Sequence, residues 1–337
     1  MDIQVSVIGA GSWGTTVAAL AARNAPTVLW SRRATLAEQI DREHENGDYL
    51  AGYRLPTQLR ATADLEEAVR RADLLVMGVP SQGFRGALES VKPYLRPWVP
   101  VISLSKGLEL GSRLRMTQVI EDVLPGHPVG ALTGPNLAKE ILSGHAAASV
   151  VAMEDQNIAR SVQGIFQAEL FRVYTNEDVI GCEMGGVLKN VIAIAAGMAD
   201  GLGAGDNTRA AVVTRGLSEV TRMGVALGGE PLTFSGLAGM GDLVATCIST
   251  QSRNRHVGER LGKGETIDEI ITAMNMVAEG VKTSKVVMEI AEDLGLDLPI
   301  ASEVYACCHE GRTAVEAYTG LLRRDTGREM DGISPAR

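Results

Sequence analysis

Positive charge is in short supply in this chain. Its 32 lysines and arginines face 41 acidic residues, a formal net charge of −9. So acidic a protein is not built to coat nucleic acid or an anionic membrane surface. Cysteine is scarce as well. Cys182, Cys247, Cys307 and Cys308 show no C-x-x-C spacing and no disulfide framework. The adjacent Cys307 and Cys308 read as small core residues of a helix, and the set fits a reducing cytoplasm. The five histidines are scattered, and none pairs with another His or Cys at ligand spacing, so no metal site is expected. The longest run without a polar residue, Val191–Ala199, falls short of the roughly 20 residues a membrane helix needs. Met1-Asp2-Ile3-Gln4 lacks the basic start of a signal peptide.

Ordinary globular features remain. Hydrophobic residues make up 45% and charged residues 22%, which allows a substantial core. A length of 337 residues points to two domains. Strand-like runs at Val5–Ile8, Thr27–Trp30, Leu74–Val79, Val99–Leu104, Val129–Leu132, Ser149–Ala152 and Phe171–Tyr174 alternate with helical stretches such as Ala34–Asn46 and Leu65–Arg71. That alternation predicts a Rossmann-type, mostly parallel sheet with helices on both faces. Beyond about Val179 the strand signal fades. Val187–Ala199, Ala210–Leu227, Thr266–Met276 and Val281–Leu294 carry helical periodicity, broken by glycine-rich turns at Gly201–Gly205 and Gly236–Gly241. The expectation is an α/β nucleotide-binding domain over 1–180, an all-α substrate domain over 181–324 and a polar tail over 325–337. No Pro- or Ser-rich linker separates the halves, so an active site in the crevice between them is expected.

The first strand runs directly into Gly9-x-Gly11-x-x-Gly14. Glycines placed between a strand and a helix let the backbone turn tightly, approach a pyrophosphate and aim helix N–H groups at it. Such a fingerprint often carries an acid about 20 residues on, which holds the ribose 2′-hydroxyl of NAD. Here the second strand ends Trp30-Ser31-Arg32-Arg33, and no acid appears before Glu38. Two guanidiniums suit a 2′-phosphate, so NADP(H) is expected over NAD(H), with NAD(H) still possible.

Residues 179–199 read VIGCEMGGVLKNVIAIAAGMA, interrupted only by Glu183, Lys189 and Asn190. A helix apolar nearly all round belongs in an interior. A lysine there is either partnered and functional or reaches for solvent at a helix edge. Gly185 and Gly186 precede Lys189 on its own face and, with Cys182 and Ala193, predict a bare surface for a ligand. Ser105-Lys106-Gly107 and Gly134-Pro135-Asn136 each follow a strand, at the carboxyl end where open α/β sheets bind ligands. Gln251–Lys263 reverses the overall charge, with Arg253, Arg255, Arg260 and Lys263 against Glu259. An anionic ligand or a solvated loop would account for it.

Seven segments occur in order: Gly-Ala-Gly-Ser-Trp-Gly-Thr (9–15), Ser-Lys-Gly-Leu-Glu (105–109), Gly-Pro-Asn-Leu-Ala-Lys-Glu (134–140), Lys-Asn-Val-Ile-Ala (189–193), Gly-Asp-Leu-Val-Ala-Thr-Cys (241–247), Gln-Ser-Arg-Asn-Arg (251–255) and Val-Ala-Glu-Gly (277–280). Together they resemble the bacterial NAD(P)-dependent glycerol-3-phosphate dehydrogenases, over about residues 3–322. The resemblance implies reversible hydride transfer between NAD(P)H and dihydroxyacetone phosphate, giving sn-glycerol 3-phosphate for phospholipid synthesis, in a cytoplasmic homodimer. It puts Gly9, Gly11, Ser12, Trp13, Gly14, Arg32, Arg33, Ala138, Val277 and Glu279 at the cofactor. Lys106 and Arg253 touch cofactor and substrate alike. Gly134, Asn136, Asp242, Ser252 and Asn254 fall on substrate contacts, and Lys189 on the catalytic lysine. Asn190 and Thr246 match supporting positions. One departure stands out: the family usually carries Ser or Thr followed by Phe where this chain has Asn136-Leu137. Two other readings share parts of the pattern. A β-hydroxyacid or 6-phosphogluconate type dehydrogenase has the same layout and a helix-borne lysine. A dinucleotide sensor would need no proton donor at all.

Overall fold

The computed structural model describes residues 3–274 and 278–324. The chain divides into two compact units between Val179 and Ile180.

The first unit is built on eight strands: β1 (Val5–Ile8), β2 (Thr27–Trp30), β3 (Arg60–Thr62), β4 (Leu74–Met77), β5 (Val101–Ser103), β6 (Val129–Thr133), β7 (Ala147–Met153) and β8 (Phe171–Asn176). They lie in the order β3-β2-β1-β4-β5-β6-β7-β8, parallel throughout except where β7 runs against β6. The order reverses direction between β1 and β4, which is where doubly wound sheets bind nucleotides. Strands β1 and β4 are buried along their whole length. Their side chains alternate between two cores: Leu74 and Val76 join the cluster that includes Val17, Ala18 and Leu20, whereas Leu75 and Met77 join the one with Phe84 and Leu88. Helices therefore cover both faces, and a continuous apolar run such as the Leu-Leu-Val-Met of β4 is what a doubly covered strand requires.

The expected strands are all present, β4 and β5 shorter and β6, β7 and β8 longer than expected, and β3 is an addition to them. It is a three-residue edge strand, too brief and polar (Arg-Ala-Thr) to show a period of two. The helix beginning at Ala34 stops at Glu43 rather than Asn46, because His44 adopts a left-handed conformation (φ 53°) that ends it.

Among its described residues the second unit is helical. The helix Val179–Gly201 takes in the whole apolar stretch 179–199, eight residues more at its start than the periodic segment Val187–Ala199, and Gly181–Ala199 are all buried. By length and composition it could cross a bilayer, unlike the short run anticipated above. Its burial inside the unit marks it as a core helix. Glycine lets its neighbours press against it. A Cβ on Gly197 would lie 2.0 Å from the Arg255 carbonyl oxygen, and one on Gly258 would lie 1.9 Å from that of Ile194. The two helices thus meet backbone to backbone. Gly236–Gly241 is not a loose turn: Leu237–Gly241 forms one π-helical turn that leads into the helix Asp242–Ile248. Single π turns frequently mark functional positions.

Glu219, on the helix Asp206–Ala226, is 3% exposed. Its carboxylate accepts the backbone N–H groups of Ile300 (2.7 Å) and Ala301 (3.0 Å), which open the helix Pro299–His309. Burial nevertheless pushes the carboxyl up to about 7, outweighing those two bonds. The folded protein therefore holds this proton more tightly than the unfolded chain does. Stability should fall as pH rises from about 4.5 to about 7, by an amount on the order of 3 kcal/mol. Urea unfolding of wild type and E219Q across that range should show the slope only in the wild type; parallel curves would contradict it.

Candidate active site

Each unit gathers its own set of polar groups. In the first, the glycines after β1 divide by physical role. Gly9 has φ 114°, and a Cβ there would lie 2.5 Å from the Gly78 carbonyl oxygen just beyond β4. A Cβ on Gly14 would lie 2.0 Å from the Gly9 oxygen. Both are required by the fold. At Gly11 a Cβ would meet nothing within 4 Å. Nothing in the protein itself demands glycine there, so the bare backbone at Gly11 fits the close approach of a ligand. Gly11 is the N-cap of the helix Ser12–Ala21 and gives it no side-chain cap, and no acid sits in the first turn. That end suits a pyrophosphate. Half-buried Trp13 tilts against Phe171 at 6.5 Å, and its Nε1 has no hydrogen-bond partner among the described residues.

The Gly9 N–H donates to the Trp30 carbonyl at 3.0 Å, so the end of β2 lies beside the glycine turn. Arg32 and Arg33 follow it and are exposed. They are not equivalent. Arg33 pairs with Asp48 at 2.6 Å and lies over the Tyr49 ring, whereas Arg32 makes no ion pair among the described residues. At the ends of β5 and β6, Lys106 Nζ donates to the Gly134 carbonyl at 2.8 Å. Gly134 needs its glycine, with φ 131°. Asn136 Nδ2 donates to Ser149 Oγ at 3.1 Å, while its Oδ1 is buried with no partner among the described residues. The unusual amide is therefore accommodated and keeps a free acceptor. Half-buried Ala138 opens the short helix Ala138–Leu142.

In the second unit, Lys189 is 6% exposed and Asp242 1%. Lys189 Nζ lies 2.5 Å from Asp242 Oδ1 and donates to Thr246 Oγ1 at 2.8 Å. Thr246 in turn donates to the Asp242 carbonyl at 2.7 Å. Asp242 and Thr246 are one helical turn apart on the segment that the π turn introduces, so they present one face to the amine. The lysine is partnered rather than reaching for solvent.

The bare surface expected beside Lys189 does not exist at Gly185. A Cβ there would lie 2.5 Å from the Ala238 carbonyl oxygen, so that glycine serves close packing against the π turn rather than ligand contact.

Asn190 turns toward Asn254, whose Nδ2 donates to Asn190 Oδ1 at 2.9 Å and whose Oδ1 accepts the Gly280 N–H at 3.0 Å. This ties the start of the helix Glu279–Asp293 to the buried lysine helix. Glu279 is half-buried at that start; Val277 lies outside the described residues. Ser252 caps the helix Arg253–Gly262 by accepting the Arg255 N–H. Of the basic residues nearby, Arg255 is committed to Asp200 at 2.6 Å, Arg260 to Glu265 and Lys263 to Glu259. Exposed Arg253 makes no ion pair among the described residues. Sequence reasoning missed Asp200, which also holds Arg209 at 2.9 Å; its one visible signal is a charge ending an apolar helix. Among the described residues, no three His, Cys, Asp or Glu side chains converge to hold a metal ion.

A glycine turn suited to a pyrophosphate on one unit and a buried amine held by a carboxylate and a hydroxyl on the other narrow the field of relatives. The NAD-dependent glycerol-3-phosphate dehydrogenase N-terminus profile matches residues 4–159, and the corresponding C-terminus profile matches residues 178–319. The NAD(P)+ glycerol-3-phosphate dehydrogenase 2 of Sphingopyxis alaskensis is 60% identical over 329 residues, 98% of this chain and 99% of its own. That of Mycobacterium avium is 55% identical over 330 residues, 98% of this chain and 97% of its own. The crystal structure of glycerol-3-phosphate dehydrogenase from Coxiella burnetii has a TM-score of 0.91 at 34% identity, covering 96% of this chain and 99% of that one. With both halves matched and a relative 60% identical over nearly its whole length, the chain belongs to the NAD-dependent glycerol-3-phosphate dehydrogenase family.

Proposed function

We propose that this enzyme reduces dihydroxyacetone phosphate to sn-glycerol 3-phosphate with NADPH, reversibly, and so supplies glycerophospholipid synthesis. The observation that carries the reading is the Lys189 ammonium, buried and held by Asp242 and Thr246. Bound reduced nicotinamide supplies the hydride. The chain's own residues do the rest. Lys189 gives its proton to the ketone oxygen as the carbonyl carbon is reduced, and takes it back in the reverse direction. Asp242 and Thr246 fix the direction in which that proton points. Arg253 and Ser252 grip the phosphate, and Asn254 contributes its second amide hydrogen; binding energy remote from the reacting carbon serves to position it. Lys106 contacts substrate and cofactor alike.

The cofactor's pyrophosphate belongs at Gly9–Gly14 with Ser12 and Trp13, and the 2′-phosphate at Arg32, which pairs with no acid among the described residues. Arg33, already paired with Asp48, contributes less. Glu279, Val277 and Ala138 complete the cofactor contacts. Exposed Val315 and Leu322 on the helix Ala314–Leu322 support a homodimer, and four buried free cysteines suit a reducing cytoplasm.

The lysine assignment is tested by K189A and K189R. Both should lose at least about a thousandfold in kcat while binding NADPH, since arginine keeps the charge but does not release a proton. K189A, which takes the ammonium away from a buried carboxylate, should also lose about 3–5 kcal/mol of stability. Retained turnover in either would remove Lys189 from its role. For the cofactor, R32A should raise KM for NADPH roughly tenfold or more, leave KM for NADH unchanged, and exceed R33A; equal effects on both cofactors would contradict the assignment. Finally, G11A should keep the wild-type melting temperature yet lose NADPH binding by fluorescence titration, whereas G14A should fail to fold. NADPH binding by G11A at wild-type affinity would overturn the glycine reading.

A further inference from the structure

Between β5 and the helix Met116–Val123, residues 104–115 contain no regular helix or strand, only an isolated bridge between Leu108 and Arg115. A lysine in such a connection has a flexible side chain on a backbone that no element fixes. Lys106 is nonetheless half-buried and donates to Gly134 at 2.8 Å. Residues 81–85 fix the backbone beneath it. Gln82 grips the loop on either side of Glu109: its Nε2 donates to the Leu108 carbonyl at 2.9 Å and its Oε1 accepts the Leu110 N–H at 3.1 Å. Arg85 takes both carboxylate oxygens of Glu109, Nε to Oε1 and Nη2 to Oε2, each at 2.9 Å. Its remaining Nη1 reaches Asp122 on the helix that ends the loop. Ser112 Oγ donates to Glu109 Oε2 at 2.5 Å. Gly107 closes the contact, because a Cβ there would lie 2.7 Å from Ser81 Oγ.

A two-point fork fixes orientation as well as distance, which a single charge contact does not. The same Arg85 bonds hold the Glu109 carboxyl below the usual carboxylate range, so the fork stays ionised at neutral pH. Lys106 has a role in the reading above; Arg85, Gln82 and Glu109 have none. We propose that these three are positioning residues for the dehydrogenase reaction, a clamp that acts by holding Lys106 where it meets the substrate. The proposal rests on Lys106 belonging to the active site. Only Gly107 and Leu108 separate Lys106 from Glu109, and Gly107 is wedged against Ser81, so a shift at the fork is passed to the lysine rather than absorbed.

The test is a double-mutant cycle of wild type, K106M, E109Q and K106M/E109Q. Each is assayed for kcat and KM with dihydroxyacetone phosphate and NADPH, alongside its melting temperature. E109Q should lower kcat/KM about tenfold, chiefly through KM for dihydroxyacetone phosphate. In the K106M background it should change kcat/KM less than twofold. R85K, which keeps the charge and loses the fork, should give the same pattern, and it carries the cycle if E109Q does not fold. A harmless E109Q, or a full tenfold loss in the K106M background, would overturn the clamp while leaving Lys106 in the site. Wild-type kcat/KM in K106M would overturn the reading of Lys106 itself, and the clamp with it.

Discussion

The ion pair between Lys189 and Asp242 constrains the rest of the second unit. Removing two charges from water costs several kcal/mol each, and only short contacts with further hydrogen bonds offset that. The structure meets these conditions with Thr246, which accepts from the amine while donating to the Asp242 backbone. To bring the partners together, a helix apolar along most of its length carries the lysine inward. A π turn then presents Asp242, and Gly185 lets that turn press directly onto the helix. A side chain at Gly185 would push the carboxylate away from the amine.

The first unit offers bare backbone rather than side chains at the glycine turn, and at the end of β2 a guanidinium, that of Arg32, with no carboxylate partner among the described residues. Arg33, Arg85, Arg255 and Arg260 all have carboxylate partners. Arg32 and Arg253 do not have one among the described residues. In an acidic protein, arginines left without a carboxylate are the ones available to a phosphate.

Much of this could be read before the fold was known, and the reasons differ by residue. The strand-to-helix glycines and the lysine in an apolar helix stand out because each violates an ordinary preference of its surroundings. The doubly covered strand β4 announces itself as an unbroken apolar run, and β1 nearly so. What stayed hidden depends on contacts distant in sequence. Nothing local shows that Gly185 faces Ala238, that Asp200 holds Arg255, or that Arg85 forks onto Glu109. The edge strand Arg60–Thr62 was invisible because three polar or small residues have no period to detect. Likewise, the glycines of Gly236–Gly241 suggest a turn, and nothing local shows that Leu237–Gly241 is π-helical and packed closely against Phe234 and Gly185.

The central claim is that Lys189 supplies a proton and not merely a positive charge. Small amines added to K189A distinguish the two most directly, because methylammonium carries both while tetramethylammonium carries charge alone. With saturating NADPH and dihydroxyacetone phosphate, turnover should rise with methylammonium concentration and stay at the variant's baseline with tetramethylammonium. Equal rescue by the two cations would contradict the account.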